Sequence, residues 1–220
     1  MDIQSAPIKT YRIVVFALAL FYVAYFLTTK SFVDNPGGPL RYLTIWALFC
    51  SAFVALRLLL LSLGKSDQRW DGFVGMTAVL NAMVVFLYWK LFFADPKSVT
   101  SDGELGVWWL EFYLHLVGPA LQWIDALVFH KAFRKFRASL VWLVGIIIAY
   151  VAWAELFVGP MNAKPIGSVT TGLPYPFLNN LTFDDRMVFY IGNVVVSFVF
   201  LCGFFAICWV LSRLGRAKQP

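Results

Sequence analysis

Charged side chains are scarce in this sequence, and their scarcity sets the class of the protein. Asp, Glu, Lys and Arg make up 14% of the 220 residues, whereas 60% of the residues are hydrophobic. This balance excludes a soluble globular domain and predicts an integral membrane protein. The net charge of +6 comes from cations in short loops between apolar runs. Because cations in such loops orient membrane proteins, we expect no nucleic-acid partner.

Cysteine and histidine are also nearly absent, since the chain has three cysteines and two histidines. Cys50, Cys202 and Cys208 each lie inside an apolar run. This placement predicts small buried side chains rather than a disulfide framework or a set of metal ligands. We therefore expect neither a metal site nor a cofactor.

Six apolar runs are long enough to cross a bilayer, which predicts an all-α polytopic membrane protein. The chain, residues 1–220, is expected to form a single bundle of six transmembrane helices. The spans are predicted at 11–28, 40–63, 72–93, 108–130, 138–158 and 186–211. Eleven Lys and Arg residues fall on the side of the termini and six on the other. This bias predicts that both termini are cytoplasmic. Which membrane holds the protein, and whether it oligomerises, stay open.

The fourth span carries a polar stripe, which we define as Glu111, His115, Gln122 and Asp125. Their offsets of four, seven and three place them on one helix face. A polar stripe in a membrane helix faces other helices or a cavity rather than lipid. Asp125 lies roughly 15 Å from His115 along the helix, and we expect it to pair with a cation. The second histidine, His130, is expected to be solvated in a basic loop.

Topology brings Thr44 and His115 to similar depths near the non-cytoplasmic surface. Thr44 is ~6 Å and His115 ~10 Å below the start of its own span, and Asn193 in the sixth span lies at a comparable depth. A threonine hydroxyl becomes a nucleophile when a base takes its proton, and imidazole suits that role near neutral pH. Glu111, one turn from His115, could orient the ring.

Pro119 gives a second reason to expect a polar site here. Proline cannot donate to the carbonyl four residues earlier, which belongs to His115. We therefore expect a kink near Gly118 and Pro119. The freed carbonyl needs a partner or a cavity at membrane depth, which predicts a polar pocket beside His115.

The same residues could instead have purely structural roles. A lone histidine in a membrane helix can simply bond across a helix interface, and a threonine there usually bonds back to its own helix. Asn81 and Asn193 are typical of residues that hold neighbouring helices together. Tyr175 fits an interfacial belt of aromatic residues.

Three segments together resemble a known family. They are Arg41-Tyr42-Leu43-Thr44 in the second span, His115 followed by Pro119 and Asp125 in the fourth, and Tyr175-Pro176-Phe177-Leu178 in the last long loop. With six spans and this length, the chain resembles the androgen-induced protein family. That family includes the androgen-dependent TFPI-regulating protein and related bacterial six-span proteins. The resemblance covers nearly the whole chain through short motifs.

The resemblance implies an integral-membrane threonine hydrolase that splits fatty acid esters of hydroxy fatty acids or similar lipid esters. Thr44 would be the nucleophile and His115 the base, with a lipid substrate taken from the bilayer. Glu111, Asn193, Pro119 and Tyr175 are the candidate orienting or pocket residues. The segment around the histidine, E-F-Y-L-H-L-V-G-P, is closer to the bacterial form and leaves the lipid open.

Two other functions remain at this point. The polar stripe could line the path of a carrier for a small solute or protons, although the chain is short and has no inverted repeat. A non-enzymatic membrane scaffold is the third alternative.

Overall fold

The computed structural model describes residues 2–30, 37–100, 103–161 and 172–216. Within these ranges the chain forms helices and no strand, and six helices are long and apolar enough to cross a membrane. They are α1 (Ala6–Thr29), α2 (Leu43–Ser62), α3 (Asp71–Ala94), α4 (Trp108–Phe129), α5 (Phe136–Val158) and α6 (Phe183–Arg216). The all-α, six-span prediction is confirmed, while the cytoplasmic placement of the termini stays a prediction. Lys164 and Lys218, two of the cations counted above, lie outside the described residues.

The first two helices begin at different residues from those expected. Helix α1 starts about one turn earlier, with Pro7 in its first turn, where a missing backbone N–H costs nothing. Helix α2 starts at Leu43 because a 3₁₀ turn, Gly38–Arg41, precedes it. Thr44 is therefore the second residue of α2 and lies in its first turn rather than further along the helix.

Helix α3 is the centre of the bundle. Of the residues in its most apolar 18-residue segment 72% are buried, whereas the corresponding value for α6 is 17%. It packs closely on α5 because two glycines face that helix. A Cβ at Gly75 would lie 2.5 Å from Ser139 Oγ, and one at Gly72 would lie 2.8 Å from Ala138 Cβ. Helix α3 can thus lie within contact distance of both α2 and α5.

A buried ion pair joins α1 to α4 near the end of the bundle where the chain begins. Arg12 Nε and Nη2 donate to the two carboxylate oxygens of Asp125 at 2.8 and 2.7 Å. The guanidinium also donates to Ser62 Oγ and Leu58 O of α2. Both charged side chains are at most 5% exposed. Asp125 thus has a cationic partner, and this partner, Arg12, is one of the eleven cations counted on the side of the termini.

His130 is buried, and the expectation that it is solvated is wrong. Only 1% of the residue is exposed, and its Nε2 lies 2.8 Å from Asp71 Oδ1 at the start of α3. The backbone turns through a positive φ of 53° at Lys131, directly after His130. Arg69 donates to the His130 carbonyl at 2.7 Å, which closes this end of the bundle.

Candidate active site

His115 lies in the middle of a π-helical turn, Tyr113–Val117, within α4. Such wide turns recur at functional sites. Gly118 follows the turn, and a Cβ there would lie 3.0 Å from the Tyr113 carbonyl. The carbonyl of His115, which Pro119 cannot satisfy, accepts a hydrogen bond from Trp89 Nε1 at 2.9 Å. The partner of the freed carbonyl is therefore an indole of α3.

The imidazole of His115 is held by its own helix and by α3. Its Nδ1 lies 3.1 Å from the backbone oxygen of Glu111 and 3.1 Å from the Glu111 carboxylate. Because both partners are acceptors, we assign the ring proton to Nδ1, which leaves a lone pair on Nε2. The Tyr88 ring stacks on the imidazole with centroids 3.5 Å apart and an interplanar angle of 5°. The ring plane and the tautomer are thus both fixed.

Thr44 Oγ1 lies 3.4 Å from Nε2 of His115. The usual bond of a membrane threonine to the carbonyl four residues earlier is blocked here. That carbonyl belongs to Leu40, and it already accepts the indole N–H groups of Trp46 at 2.7 Å and Trp153 at 3.1 Å. The hydroxyl of Thr44 is consequently available to the histidine rather than tied to its own helix.

The remaining candidates take different places around Thr44. The hydroxyl of Tyr175 accepts the backbone N–H of Leu43 at 3.3 Å and interacts with the Thr44 side chain. Asn193 donates to Phe189 O of its own helix at 2.8 Å, so its described hydrogen bond does not orient His115. It instead lines the same cavity as Thr44.

An apolar cavity of about 110 Å³ begins at Thr44 and Tyr88 and extends between α3, α5 and α6. It follows α5 from Ala154 to Leu143, roughly 16 Å of helix. A second apolar space, about 230 Å³, separates α5 from α6 and shares Leu143, Ile147, Val194 and Ser197 with the first. Its outer wall includes Val195, which is 57% exposed on the lipid-facing surface. The cavity at Thr44 therefore shares a wall with an apolar space that reaches the outer surface of the bundle.

A much smaller polar cavity, about 10 Å³, touches Thr44 and Pro119 from inside the bundle. Ser51, Asn81 and Gln122 supply its polar wall. Asn81 donates to the Ser51 hydroxyl at 2.9 Å and Gln122 to the Ser51 carbonyl at 3.1 Å, which ties α3 and α4 to α2. Its volume and polar lining suit about one water molecule.

The polar stripe of α4 divides into two halves in the structure. Glu111 contacts His115, and His115 in turn contacts Thr44. Gln122 and Asp125 are each bonded to another helix and bury their polar groups in the bundle. The described residues contain no group of three His, Cys, Asp or Glu side chains that could hold a metal ion.

Tyr88 and Trp89 are the site residues that the sequence did not reveal. They look like members of an interfacial aromatic belt near the end of α3. One signal was present: Pro119 leaves the His115 carbonyl without a helical donor, so some neighbouring helix had to supply one. An indole near the same depth was a candidate donor.

Comparison with known proteins gives one match. Residues 8–207 match the model of a family described as FAR-17a/AIG1-like protein. The matched range includes all the site residues described above. No curated protein and no solved structure matches the chain.

Proposed function

Because the chain belongs to the FAR-17a/AIG1-like protein family, the family that its motifs predicted, we propose that it is an integral-membrane lipid ester hydrolase. The observation that carries the proposal is the 3.4 Å approach of Thr44 Oγ1 to His115 Nε2, with Glu111 behind the ring. An alcohol, an imidazole and a carboxylate in series form the arrangement by which hydrolases activate a hydroxyl nucleophile. Hydrogen bonds of this kind often shorten when substrate binds.

In the first half-reaction Thr44 attacks the ester carbonyl carbon. His115 Nε2 takes the hydroxyl proton as the new C–O bond forms, and the carbonyl electron pair moves onto its oxygen. The tetrahedral adduct collapses, the original ester C–O bond breaks, and His115 gives its proton to the departing alkoxide. Glu111 stabilises the positive charge that the imidazole carries between these two events. The products are an acyl-threonine and a free alcohol.

In the second half-reaction water releases the acyl group. His115 takes a proton from water, the hydroxide attacks the acyl carbon, and the bond to Thr44 breaks. The threonine oxygen recovers its proton from the imidazolium, and a fatty acid leaves. The polar cavity at Thr44 supports this step because it could hold a water molecule apart from the apolar cavity that would take the lipid.

The cavity supports a substrate with a long apolar chain beside the reacting ester. Its wall is almost entirely apolar, and the gap between α5 and α6 would admit a chain directly from the bilayer. Fatty acid esters of hydroxy fatty acids, or lipid esters of similar shape, have this character. The carrier alternative has less support, because Gln122 and Asp125 are each hydrogen-bonded to another helix, and the cavity that Gln122 lines is only about 10 Å³.

The test is ester hydrolysis by the purified protein in nanodiscs. Thr44→Ala and His115→Ala should each lower kcat by about 10³-fold or more while the thermal unfolding curve stays unchanged. Thr28→Ala is the matched control, since Thr28 is exposed on α1 and donates to Ala24 O. Mass spectrometry of the protein quenched during turnover should find the acyl group on Thr44. Folded Thr44→Ala protein that turns over at the wild-type rate would refute this function.

A further inference from the structure

An ester hydrolase needs a hydrogen-bond donor for the oxyanion, and the proposed reaction does not yet have one. The donor must lie beside the nucleophile on the side where the ester carbonyl enters. Six polar side chains line the apolar cavity that Thr44 shares: Tyr88, Tyr150, Tyr175, Tyr190, Asn193 and Ser197. Their contacts show which of them reaches the nucleophile.

The other five side chains have polar partners other than Thr44. Tyr190 Oη donates to Glu155 Oε1 at 2.8 Å, Ser197 Oγ donates to Val194 O at 2.7 Å, and Tyr88 interacts with the Glu111 carboxylate. Tyr150 Oη donates to the Arg41 carbonyl at 3.0 Å. Asn193 donates one of its two amide protons to Phe189 O at 2.8 Å, and no hydrogen bond joins it to Thr44 among the described residues. The hydroxyl of Tyr175 differs because it acts as an acceptor, from the Leu43 N–H at 3.3 Å. It also lies in hydrogen-bonding contact with the hydroxyls of Tyr150 and Thr44, so the acceptors beside its own proton are neutral hydroxyl oxygens rather than a carbonyl or a carboxylate.

The loop that carries Tyr175 is held firmly in place. Asn179 accepts the backbone N–H of Leu173 at 2.7 Å and donates to the carbonyls of Leu173 and Tyr175, each at 3.1 Å. Arg41, three residues before the nucleophile, donates to the Leu173 carbonyl at 3.3 Å. The same short segment that presents Thr44 thus also anchors the tyrosine. A donor fixed before the reaction is the kind that stabilises an oxyanion most.

Tyr175 is a donor rather than a base. Burial raises the pKa of its hydroxyl to about 12, so the group stays protonated at neutral pH. A second donor lies next to it. Thr44 is the second residue of α2, and the backbone N–H groups in the first turn of a helix have no carbonyl partner within that helix. The positive end of the helix dipole favours negative charge at the same point.

We propose that the Tyr175 hydroxyl, together with the backbone N–H of Thr44, forms the oxyanion hole of this protein. The inference rests on the proposed hydrolase function. As Thr44 attacks, the carbonyl oxygen gains the electron pair and accepts a hydrogen bond from Tyr175 Oη. When the adduct collapses, the pair returns to the carbonyl and the ester bond breaks. Tyr175 keeps its proton throughout.

The deciding variant is Tyr175→Phe in the full-length protein, assayed in nanodiscs with a fluorogenic long-chain acyl ester. The expected result is a fall in kcat of about 10²- to 10³-fold with little change in KM, the usual effect of removing one oxyanion donor. The control is Tyr25→Phe on α1, which loses a hydroxyl away from the site and should keep wild-type kcat. A merely structural role would lower the unfolding temperature or raise KM without a selective loss of kcat.

A fluorinated tyrosine at position 175 covers the case in which Tyr175→Phe does not fold. Fluorination keeps the ring and the hydroxyl but makes the phenol more acidic. Activity should then fall on the alkaline side at a lower pH than in the wild type, because the ionised phenol cannot donate. If the pH at which activity falls on the alkaline side is unchanged by fluorination, the assignment is wrong.

The outcomes separate this inference from the function on which it rests. If Thr44→Ala is inactive but Tyr175→Phe keeps a kcat within about threefold of the wild type, the oxyanion assignment is wrong and the hydrolase stands. If Thr44→Ala and His115→Ala both retain wild-type turnover, the hydrolase function fails and the assignment fails with it.

Discussion

Replacing the Glu111 carboxylate by an amide tests how the histidine is activated. Glu111→Gln keeps the shape of the side chain but removes the charge 3.1 Å from His115 Nδ1. At that distance a unit charge and an imidazolium attract by about 5 kcal/mol if the effective dielectric constant is 20. The Glu111 side chain is 21% exposed, so solvent screens part of this attraction. We take about half of it, roughly 2–3 kcal/mol, as the stabilisation lost when the imidazolium forms.

This loss converts to a fall in kcat of roughly 30- to 150-fold. It should stay well below the ~10⁴-fold loss known for triads whose carboxylate alone sets the tautomer. The reason is the backbone oxygen of Glu111, which also lies 3.1 Å from Nδ1 and survives the substitution. The tautomer that presents the Nε2 lone pair to Thr44 is therefore kept.

The assay is steady-state hydrolysis of a long-chain acyl ester, with Asp184→Asn as the control because Asp184 is an exposed acid at the start of α6. Two results would contradict the reasoning. A kcat within about threefold of the wild type would mean that the carboxylate does not stabilise the imidazolium. A loss near 10⁴-fold would mean that the backbone contact does not hold the tautomer.

Three further changes probe the surroundings of the site. Trp89→Phe should lower the free energy of unfolding by about 1–3 kcal/mol, because the buried His115 carbonyl loses its hydrogen-bond donor. Chemical denaturation measures this loss. Wild-type stability would mean that another donor replaces the indole. Asp125→Ala should lower the free energy of unfolding by about 3–5 kcal/mol because it leaves the Arg12 guanidinium buried without its counter-charge. Replacing both residues by apolar ones should recover most of that loss in a thermal unfolding assay. Ile147→Phe, in the wall common to both apolar spaces, should shift hydrolysis toward shorter acyl chains in a chain-length series, whereas an unchanged chain-length profile would place the chain elsewhere.

The number and order of the helices follow from the sequence because a bilayer leaves the chain few choices. Apolar runs of spanning length must become helices, since lipid cannot satisfy backbone polar groups. The depth of Thr44 and His115 follows from the same geometry, because each residue adds a fixed rise along its helix. Depth alone, however, does not say which helix faces point at one another, so the 3.4 Å approach of the two side chains required the structure.

What the sequence could not provide are the contacts that depend on packing between helices. Arg12 lies near the start of the predicted first span, but the sequence does not identify its partner because Asp125 lies 113 positions away in the chain. The π-helical turn around His115 has no reliable signature apart from Gly118 and Pro119. Tyr88 could not be distinguished from other interfacial aromatic residues until its ring was seen against the imidazole.

Thr44 owes its chemical position to the end of a helix rather than to its residue type. Other threonines of the bundle, such as Thr28 and Thr29, bond back to carbonyls of their own helix. At Thr44 the equivalent carbonyl is occupied by two indoles, so the hydroxyl is left for His115. The residue also lines both an apolar cavity and a small polar cavity. A lipid ester and a water molecule could thus reach the same oxygen from different directions, which is what a two-step hydrolysis inside a membrane requires.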